Sequence, residues 1–519
     1  MLAQGAPANK ESFPGETARW RRYQSPNFEL FSAARDAESR QLLHHLELLR
    51  ALFFETFKVK ERQPLPVSVY YFSEAKDFKA YAPALQRQAL GGYYLDQPDR
   101  AVMAFSPVWD TEWERHIVFH EYIHHLNRVI GAVPPLWYNE GTAELFSTIE
   151  FKPDGVILGK HLPWYVESLR DKGLLPLETL FSIGPDSPTY NNKKHSGQFY
   201  AESWALLHYL RYGENNLDQD KIEQLLTYFL NEPAETDPVS RRKVFRETLG
   251  IDYLEMHQRL DAYLRKGTFY RYKAKLPLIP EMKSYESREM STDEMRLFLA
   301  ELSLRVNQSA TARFHLLQRA DQVAGSARCW EALGSDAWNG GDPGEAEERW
   351  RRAMVSGSNN PAIFRELGQL EGWRWFERFD YNFRMPEVQA QALRALLKRS
   401  LEYAPDQNDG YELLAWVEAS AIKPEIANLD LVQRRFRATQ PNARTLLALV
   451  LVRVRLGDQS AAMALLDQLD QMHPEYWVVS AAEIVRAKLE GRAPRPIAPP
   501  VASPAAARGI RMRLPELPR

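Results

Sequence analysis

Three short stretches near the start of the chain predict strands, the first because apolar and polar residues alternate along it. The stretches are 27–31, 66–72 and 100–105. Between the first two, residues 38–57 carry large apolar side chains at helical spacing, including Leu42, Leu46 and Leu49. We therefore expect a small sheet that packs against helices.

The pattern changes to mainly helical between residues 111 and 267. It is interrupted at 151–158, where Pro-Asp-Gly between apolar ends predicts a hairpin. Residues 196–212 contain too many large apolar side chains for an exposed helix. They predict a helix that runs through a core.

The last third of the chain repeats itself. Phe364, Leu367 and Gly368 follow Trp330, Leu333 and Gly334 at an interval of 34 residues. This period, with small residues where helices pack closely, resembles tetratricopeptide (TPR) repeats, in about three or four units. The resemblance implies a surface that binds a substrate or partner protein. Ordinary antiparallel helices have the same apolar periodicity and are the alternative.

These patterns predict an α+β fold class: an α/β and helical unit followed by an all-α, TPR-like solenoid. The expected boundaries are a flexible N-terminus at 1–19, an α/β subdomain at 20–110, a mainly helical subdomain at 111–267, a linker at 268–288, helical repeats at 289–490 and a disordered Pro/Ala/Arg-rich tail at 491–519. Since repeats stack mainly on their own neighbours, we expect the first unit to fold without them.

Composition excludes several classes of protein and site. Lys and Arg number 66 against 68 Asp and Glu, so the formal net charge of -2 gives no basic field for nucleic acid. Cys329 is the only cysteine, which excludes an internal disulfide and a cysteine-based metal cluster. No apolar run predicts a membrane span. The N-terminal residues lack the pattern of a signal peptide, which leaves a cytoplasmic location and export with a missing signal both open.

Candidate chemistry is concentrated in one segment, where His120, Glu121 and His124 form an HExxH pattern. Residues four apart lie on one face of a helix, so both imidazoles can bind a single Zn²⁺. Glu121 would project beside the metal toward its water molecule. The alternative is a solvated helix face that matches the pattern by chance.

A second segment, further along the chain, supplies a candidate third ligand for the metal. After the helix-breaking Pro134 and Pro135, Glu140 follows His124 by 16 residues. A helix-turn-helix of that length can bring the carboxylate back to the metal and leave a fourth position open, as catalytic zinc requires. Glu144 lies one turn further on and can accept the free N–H of a ligand histidine.

The segments His-Glu-Tyr-Ile-His at 120–124 and Asn-Glu-Gly-Thr-Ala-Glu at 139–144 resemble the gluzincin zinc metallopeptidases. The order of domains, with the α/β segment first, the HExxH helices next and the repeats last, is most similar to that of bacterial peptidase MA-like proteins. The resemblance implies one Zn²⁺ per chain, held by His120, His124 and Glu140, and peptide-bond hydrolysis with Glu121 as general base. Tyr200 matches the transition-state tyrosine of the related aminopeptidases. Strand 101–105 lacks their Gly-x-Met-Glu-Asn motif, so aminopeptidase specificity is not implied.

Several further residues have two interpretations each. His116 and His125 flank the ligands, and we expect them to support the site or lie at the surface. Tyr200 could be a core aromatic instead of an oxyanion donor, in which case Tyr190 or His195 could donate, although both are expected to be solvated. Strand 101–105 is expected to pair with an extended substrate.

The rival function is a non-catalytic scaffold whose repeats bind a protein partner. A scaffold has no need of Glu121, which is not expected to bind the metal. Hydrolysis of a non-peptide bond is conceivable from the resemblance but is supported by no residue. The sequence contains no Gly-x-Ser-x-Gly elbow and no phosphate-binding loop.

Overall fold

The computed structural model of the chain describes residues 12–58, 67–83, 91–105, 112–130, 134–184, 187, 190, 193–214, 216–230, 232, 237–322, 327–376, 381–405, 407–438, 442–472 and 476–496. They form two compact units. The first comprises the described residues of Met1–Asp96 and Ala101–Arg296, and the second those of Gln97–Arg100 and Leu297–Arg519. The fold is mixed and mainly helical, which agrees with the predicted α+β class at this coarse level.

A six-stranded sheet forms one layer of the first unit. Its strands are β1 (Arg21–Gln24), β2 (Phe28–Ser32), β3 (Val67–Tyr71), β4 (Gly92–Asp96), β5 (Ala101–Phe105) and β9 (Glu286–Glu289), in the spatial order β4-β5-β3-β2-β1-β9. β2, β3 and β5 run parallel, and the other neighbours are antiparallel. The three strands predicted from the sequence are therefore confirmed.

The order of the strands corrects one expectation. β5 was expected to pair with substrate, but it lies inside the sheet between β3 and β4. Met103, for example, is paired with Val69 on one side and Tyr94 on the other. Because both of its edges are occupied, β5 has no free backbone groups for a further strand. Within the described residues, β4 is the edge strand at this end of the sheet.

A second, three-stranded sheet has the order β6-β7-β8, from β6 (Glu150–Lys152), β7 (Gly155–Leu158) and β8 (Tyr272–Ala274). β6 and β7 are the predicted hairpin. Both β8 and β9 contain residues of the expected linker at 268–288, so this segment adds strands to both sheets instead of separating two domains. The unit boundary lies at Arg296, beyond the expected one, because β9 pairs with β1.

Ten helices accompany the sheets in the described part of the first unit. They are α1 (Asp36–Thr56), α2 (Ala75–Ala80), α3 (Glu112–Val129), α4 (Leu136–Ser147), α5 (Pro163–Lys172), α6 (Leu177–Ser182), α7 (Lys193–Tyr212), α8 (Gln219–Leu230), α9 (Pro238–Leu249) and α10 (Tyr253–Lys266). α7 is the predicted core helix, since Phe199, Trp204 and Leu206 are fully buried. Its apolar faces pack into the same core as α3 and α4.

The predicted flexible N-terminus is partly ordered. Residues 1–11 lie outside the described residues, but Phe13 and Glu16 are buried. Glu16 accepts a hydrogen bond from the Phe13 backbone N–H at 3.0 Å and pairs with Arg296 at 2.8 Å. These contacts hold the segment before β1 against the first unit.

The second unit is helical. α11 (Thr292–Asn307) crosses its boundary, and it continues with α12 (Ala310–Gln322), α13 (Ala327–Asn339), α14 (Pro343–Val355), α15 (Pro361–Phe376), α16 (Glu387–Tyr403), α17 (Asn408–Ser420), α18 (Ile426–Ala438), α19 (Ala443–Arg455), α20 (Gln459–Asp470) and α21 (Tyr476–Leu489). A side chain at Gly334 would collide with the Trp350 indole, so this glycine allows α13 and α14 to pack closely. Residues 497–519 of the predicted tail lie outside the described residues.

None of the helices that the structure describes combines the length and the apolar character that crossing a membrane requires.

Candidate metal centre

Helices α3 and α4 bring the predicted ligands together. In α3, Val118, Tyr122 and Ile123 are buried in the core, which leaves the stripe with His120 and His124 partly accessible. α4 begins after Pro135, whose carbonyl accepts the backbone N–H of Asn139 at 3.0 Å. The Asn127 side chain donates to the Asn139 Oδ1 at 2.7 Å and thus links the two helices next to Glu140.

Three donor atoms converge on one point. The Nε2 atoms of His120 and His124 are 3.1 Å apart, and the Glu140 Oε2 lies 3.3 Å from the first and 3.4 Å from the second. Glu140 is buried, which alone would raise its pKa, but His124 and His120 lower the pKa to about 2. The carboxylate is therefore ionised at neutral pH.

The spacing of these atoms fits a tetrahedral metal ion. Zinc bonds of about 2.05 Å separate tetrahedral ligand atoms by about 3.3 Å. The Glu140 Oε2 is also buried without a hydrogen-bond partner among the described residues. A buried anionic oxygen without a partner is costly, and a cation between the three atoms would satisfy it. His120, His124 and Glu140 could thus hold a single metal, as the sequence predicts.

Glu144 lies behind the first ligand. Its Oε1 is 3.3 Å from the His120 Nδ1, which is the contact expected for a carboxylate that supports a ligand histidine. Its Oε2 is 3.0 Å from the His116 Nε2. Burial would raise the pKa of Glu144, but His116 and His120 hold it well below the usual range. Glu144 therefore stays ionised beside the rings of His116 and His120.

Glu121 faces the same cluster without being one of the three converging donors. Its carboxylate accepts a hydrogen bond from the Tyr94 backbone N–H in β4. Burial raises its pKa, and this exceeds the opposing effect of His120 and His124. Glu121 is thus more basic than an exposed glutamate, and its carboxylate is held by the edge strand β4.

Two tyrosines stand on the α7 side of the cluster. The Tyr190 hydroxyl donates to the Glu140 Oε1 at 3.0 Å, and burial raises the pKa of Tyr190 to about 12. The expectation that Tyr190 is solvated was therefore wrong, because it is half-buried against a ligand. The Tyr200 ring lies 6.3 Å from the His120 ring, and Tyr200 hydrogen-bonds to Tyr190. The side chain of His195 lies outside the described residues.

His116 and His125, which flank the ligands in sequence, are both buried. His116 contacts Glu144, whereas the His125 Nδ1 is 3.1 Å from the Tyr94 hydroxyl. Burial lowers the pKa of His125 to about 3, so the ring is neutral at ordinary pH. Sequence reasoning placed neither residue in a defined contact, since the partners come from β4 and α4.

A scan against models of known protein families finds no match to this chain, and a search of curated proteins finds none either. The site has to be interpreted from its own residues and their geometry.

Proposed function

We propose that this chain is a zinc-dependent peptidase of the gluzincin type, with one Zn²⁺ per chain. The observation that supports this most directly is the triangle of the His120 Nε2, the His124 Nε2 and the Glu140 Oε2, with sides of 3.1 to 3.4 Å. Two neutral imidazoles and one carboxylate are a common ligand set of catalytic zinc. When bound, zinc would polarise a substrate carbonyl and lower the pKa of a water molecule.

Glu121 would then act as the general base. Its elevated pKa favours uptake of the proton from the attacking water and delivery of that proton to the leaving amine. The Tyr94 backbone N–H holds one face of this carboxylate, so the base is oriented before the substrate binds. A scaffold protein would not need this arrangement, which is why we favour a peptidase over the scaffold alternative.

Tyr200 is the proposed donor to the oxyanion. The Tyr190 hydroxyl is already directed to Glu140. The Tyr200 hydroxyl hydrogen-bonds to the Tyr190 hydroxyl, which it can exchange for a substrate oxygen. Burial raises the pKa of Tyr200, so it remains a protonated donor at all ordinary pH values.

An extended substrate would pair with β4 and not with β5. β4 is the edge strand and carries Tyr94, whose backbone binds Glu121. A chain added along this edge would pass the base and the metal, by the strand addition that many peptide-binding proteins use.

The second unit would supply a TPR-like surface for a substrate or partner protein. Gly334 and Gly368 stand 34 residues apart, and each lies where a side chain would collide with the next helix, at Trp350 and Leu397 respectively. Equivalent close packing at the repeat interval is what stacked helical repeats require.

The test compares wild type with Glu121→Gln. The amide keeps the shape and can still accept from the Tyr94 backbone N–H, but it cannot take a proton. We expect zinc content to stay at one per chain, while cleavage of a broad peptide library falls by a factor of about 10² to 10⁴. Glu140→Ala should lose the zinc as well as the activity.

Glu247→Gln, at an exposed position on α9, is the matched control and should change neither quantity. Equal peptide cleavage by wild type and Glu121→Gln would contradict the proposal. If both bind zinc and neither cleaves any peptide, the scaffold function is supported instead.

A further inference from the structure

Behind the candidate ligand His120, a chain of buried side chains extends from α4 through α3. The Ser147 Oγ lies 2.8 Å from the His116 Nδ1, and the His116 Nε2 lies 3.0 Å from the Glu144 Oε2. The other Glu144 oxygen is 3.3 Å from the His120 Nδ1. His116, Glu144 and Ser147 are 5%, 4% and 4% exposed.

From this chain we infer that His116 is a positioning residue for the metal centre, acting through Glu144. The inference rests on the proposed zinc function. His116 is not one of the three converging donors at the candidate site. It fixes the carboxylate that in turn orients His120.

The two oxygens of Glu144 explain why a second histidine matters. A carboxylate that binds only His120 can rotate about its last side-chain bond and present either oxygen. The His116 Nε2 lies 3.0 Å from Oε2, whereas Oε1 lies 3.3 Å from the His120 Nδ1, so each oxygen faces a different ring. His120 is then kept in the tautomer whose Nε2 lone pair faces the metal.

Ser147 fixes the far side of the His116 ring. Its hydroxyl lies 2.7 Å from the Glu144 backbone carbonyl and 2.8 Å from the His116 Nδ1. When the hydroxyl hydrogen goes to Nδ1, the neutral His116 ring carries its own hydrogen on Nε2, which faces Glu144. Tyr165 on α5 also donates to Glu144, so the carboxylate should lose part and not all of its support when His116 changes.

The direct alternative is that His116 is itself a metal ligand. His116, His120 and Glu144 also offer three donor atoms close together. A metal there would need the His120 Nδ1 as a ligand, which removes the hydrogen that this nitrogen gives to Glu144. One zinc per chain agrees with a positioning role, and two would overturn it.

The experiment measures the zinc affinity of the full-length chain by chelator competition, without any peptide. His116→Leu removes the donor at similar volume, whereas His116→Gln keeps an N–H near the Nε2 position. We expect His116→Leu to weaken zinc binding about 10- to 100-fold, the usual effect of losing a partner behind a ligand, and His116→Gln by less than about threefold.

Ser147→Ala and Thr148→Val form the matched pair. Both remove a buried hydroxyl from the end of α4, but the Thr148 Oγ1 donates to the Leu145 carbonyl at 2.8 Å and is not part of the chain. Ser147→Ala should weaken zinc binding, and Thr148→Val should not. This pair decides the question if His116→Leu does not fold.

Equal zinc affinity in His116→Leu and wild type, or an equal loss in His116→Leu and His116→Gln, would overturn the inference. Neither result depends on catalysis, so both are distinguishable from failure of the proposed function. That failure would be a wild-type chain that binds zinc tightly but cleaves no peptide, or one that binds no zinc.

Discussion

At the scale of single residues, four buried or partly buried glutamates of the first unit differ in pKa because their neighbours differ. Histidines lower the pKa of Glu140 and Glu144 despite burial. Burial dominates at Glu121 and raises its pKa. Glu202 on α7 has no charged partner among the described residues, and burial raises its pKa to about 8. The ionised pair suits metal support, and the more basic Glu121 suits proton transfer.

Glu202 leads to a prediction about stability and pH. Its Oε2 accepts the Leu175 backbone N–H at 2.7 Å, and its Oε1 is buried without a hydrogen-bond partner among the described residues. The native state therefore holds a proton up to about pH 8, while the unfolded chain releases it near the ordinary glutamate pKa of 4.5. Between these values the unfolded chain binds fewer protons, so stability falls as pH rises and levels off above pH 8.

Glu202→Gln should remove this slope, because the amide oxygen can still accept from Leu175 and nothing titrates. The expected change in unfolding free energy is at most about 1.4 kcal/mol per pH unit in this window. Denaturant unfolding at pH 5, 6.5 and 8 measures it, with exposed Glu167→Gln as the control. Parallel pH profiles in wild type and Glu202→Gln would show that Glu202 does not titrate there.

At the scale of elements, the distance between α4 and α7 is set by one glycine. A Cβ on Gly141 would lie 2.6 Å from the Ser203 carbonyl oxygen and 2.9 Å from the Leu207 Cδ1. Gly141 directly follows Glu140 on α4, and Tyr200 is one turn from Ser203 on α7. The close approach of the two helices therefore brings Tyr200 near the candidate ligand His120, with 6.3 Å between the two rings.

Gly141→Ala should destabilise the first unit by about 1 to 3 kcal/mol, the usual cost of overpacking. The steric clash should exceed the gain of up to about 1 kcal/mol that alanine gives within a helix. The measurement is the thermal unfolding of the zinc-free chain. Gly197→Ala on α7 is the control, because its Cβ meets nothing within 4 Å, and it should be neutral or stabilising. Similar melting temperatures for the two variants would disprove the steric role of Gly141.

At the scale of the whole molecule, the division into units does not follow the chain order. Gln97–Arg100, which joins β4 to β5, belongs to the second unit. There Asp99 is fully buried, and both of its oxygens are 2.7 Å from Arg305 nitrogens. Arg100 pairs with Glu331 at 2.6 Å. Truncation at about residue 285 would remove Arg305 and Glu331, so it tests the expectation that the first unit folds without the helical repeats.

Arg305→Met should destabilise the second unit by about 3 to 5 kcal/mol, because it leaves the Asp99 carboxylate buried without its main cation. Lys398→Met is the control in the same unit. Lys398 pairs with Glu425 at 3.2 Å at an exposed site and should contribute at most about 1 kcal/mol. Denaturant unfolding of the two variants checks this, together with hydrogen exchange of β4 and β5. An equal effect of both substitutions would show that the buried pair does not hold this turn.

The sequence by itself determined the local elements and the candidate ligand set. Strands β2, β3 and β5 and the core helix α7 follow from local apolar patterns, and the hairpin at β6 and β7 follows from its Pro-Asp-Gly turn. The spacing of His120 and His124 follows from the pitch of one helix. Glu140 and Glu144 could be named because a short helix-turn-helix limits where the chain can return.

Only the tertiary structure decided which strand is the edge and which side chains stand behind the ligands. Strand order depends on contacts between segments far apart in the chain, and no periodicity encodes it, so β4 and not β5 borders the site. The partners of Tyr190, His116 and Asp99 come from other elements for the same reason. Local sequence patterns determine where a helix forms and which of its faces is apolar. Burial and contacts between segments far apart in sequence determine which residues pack against each face.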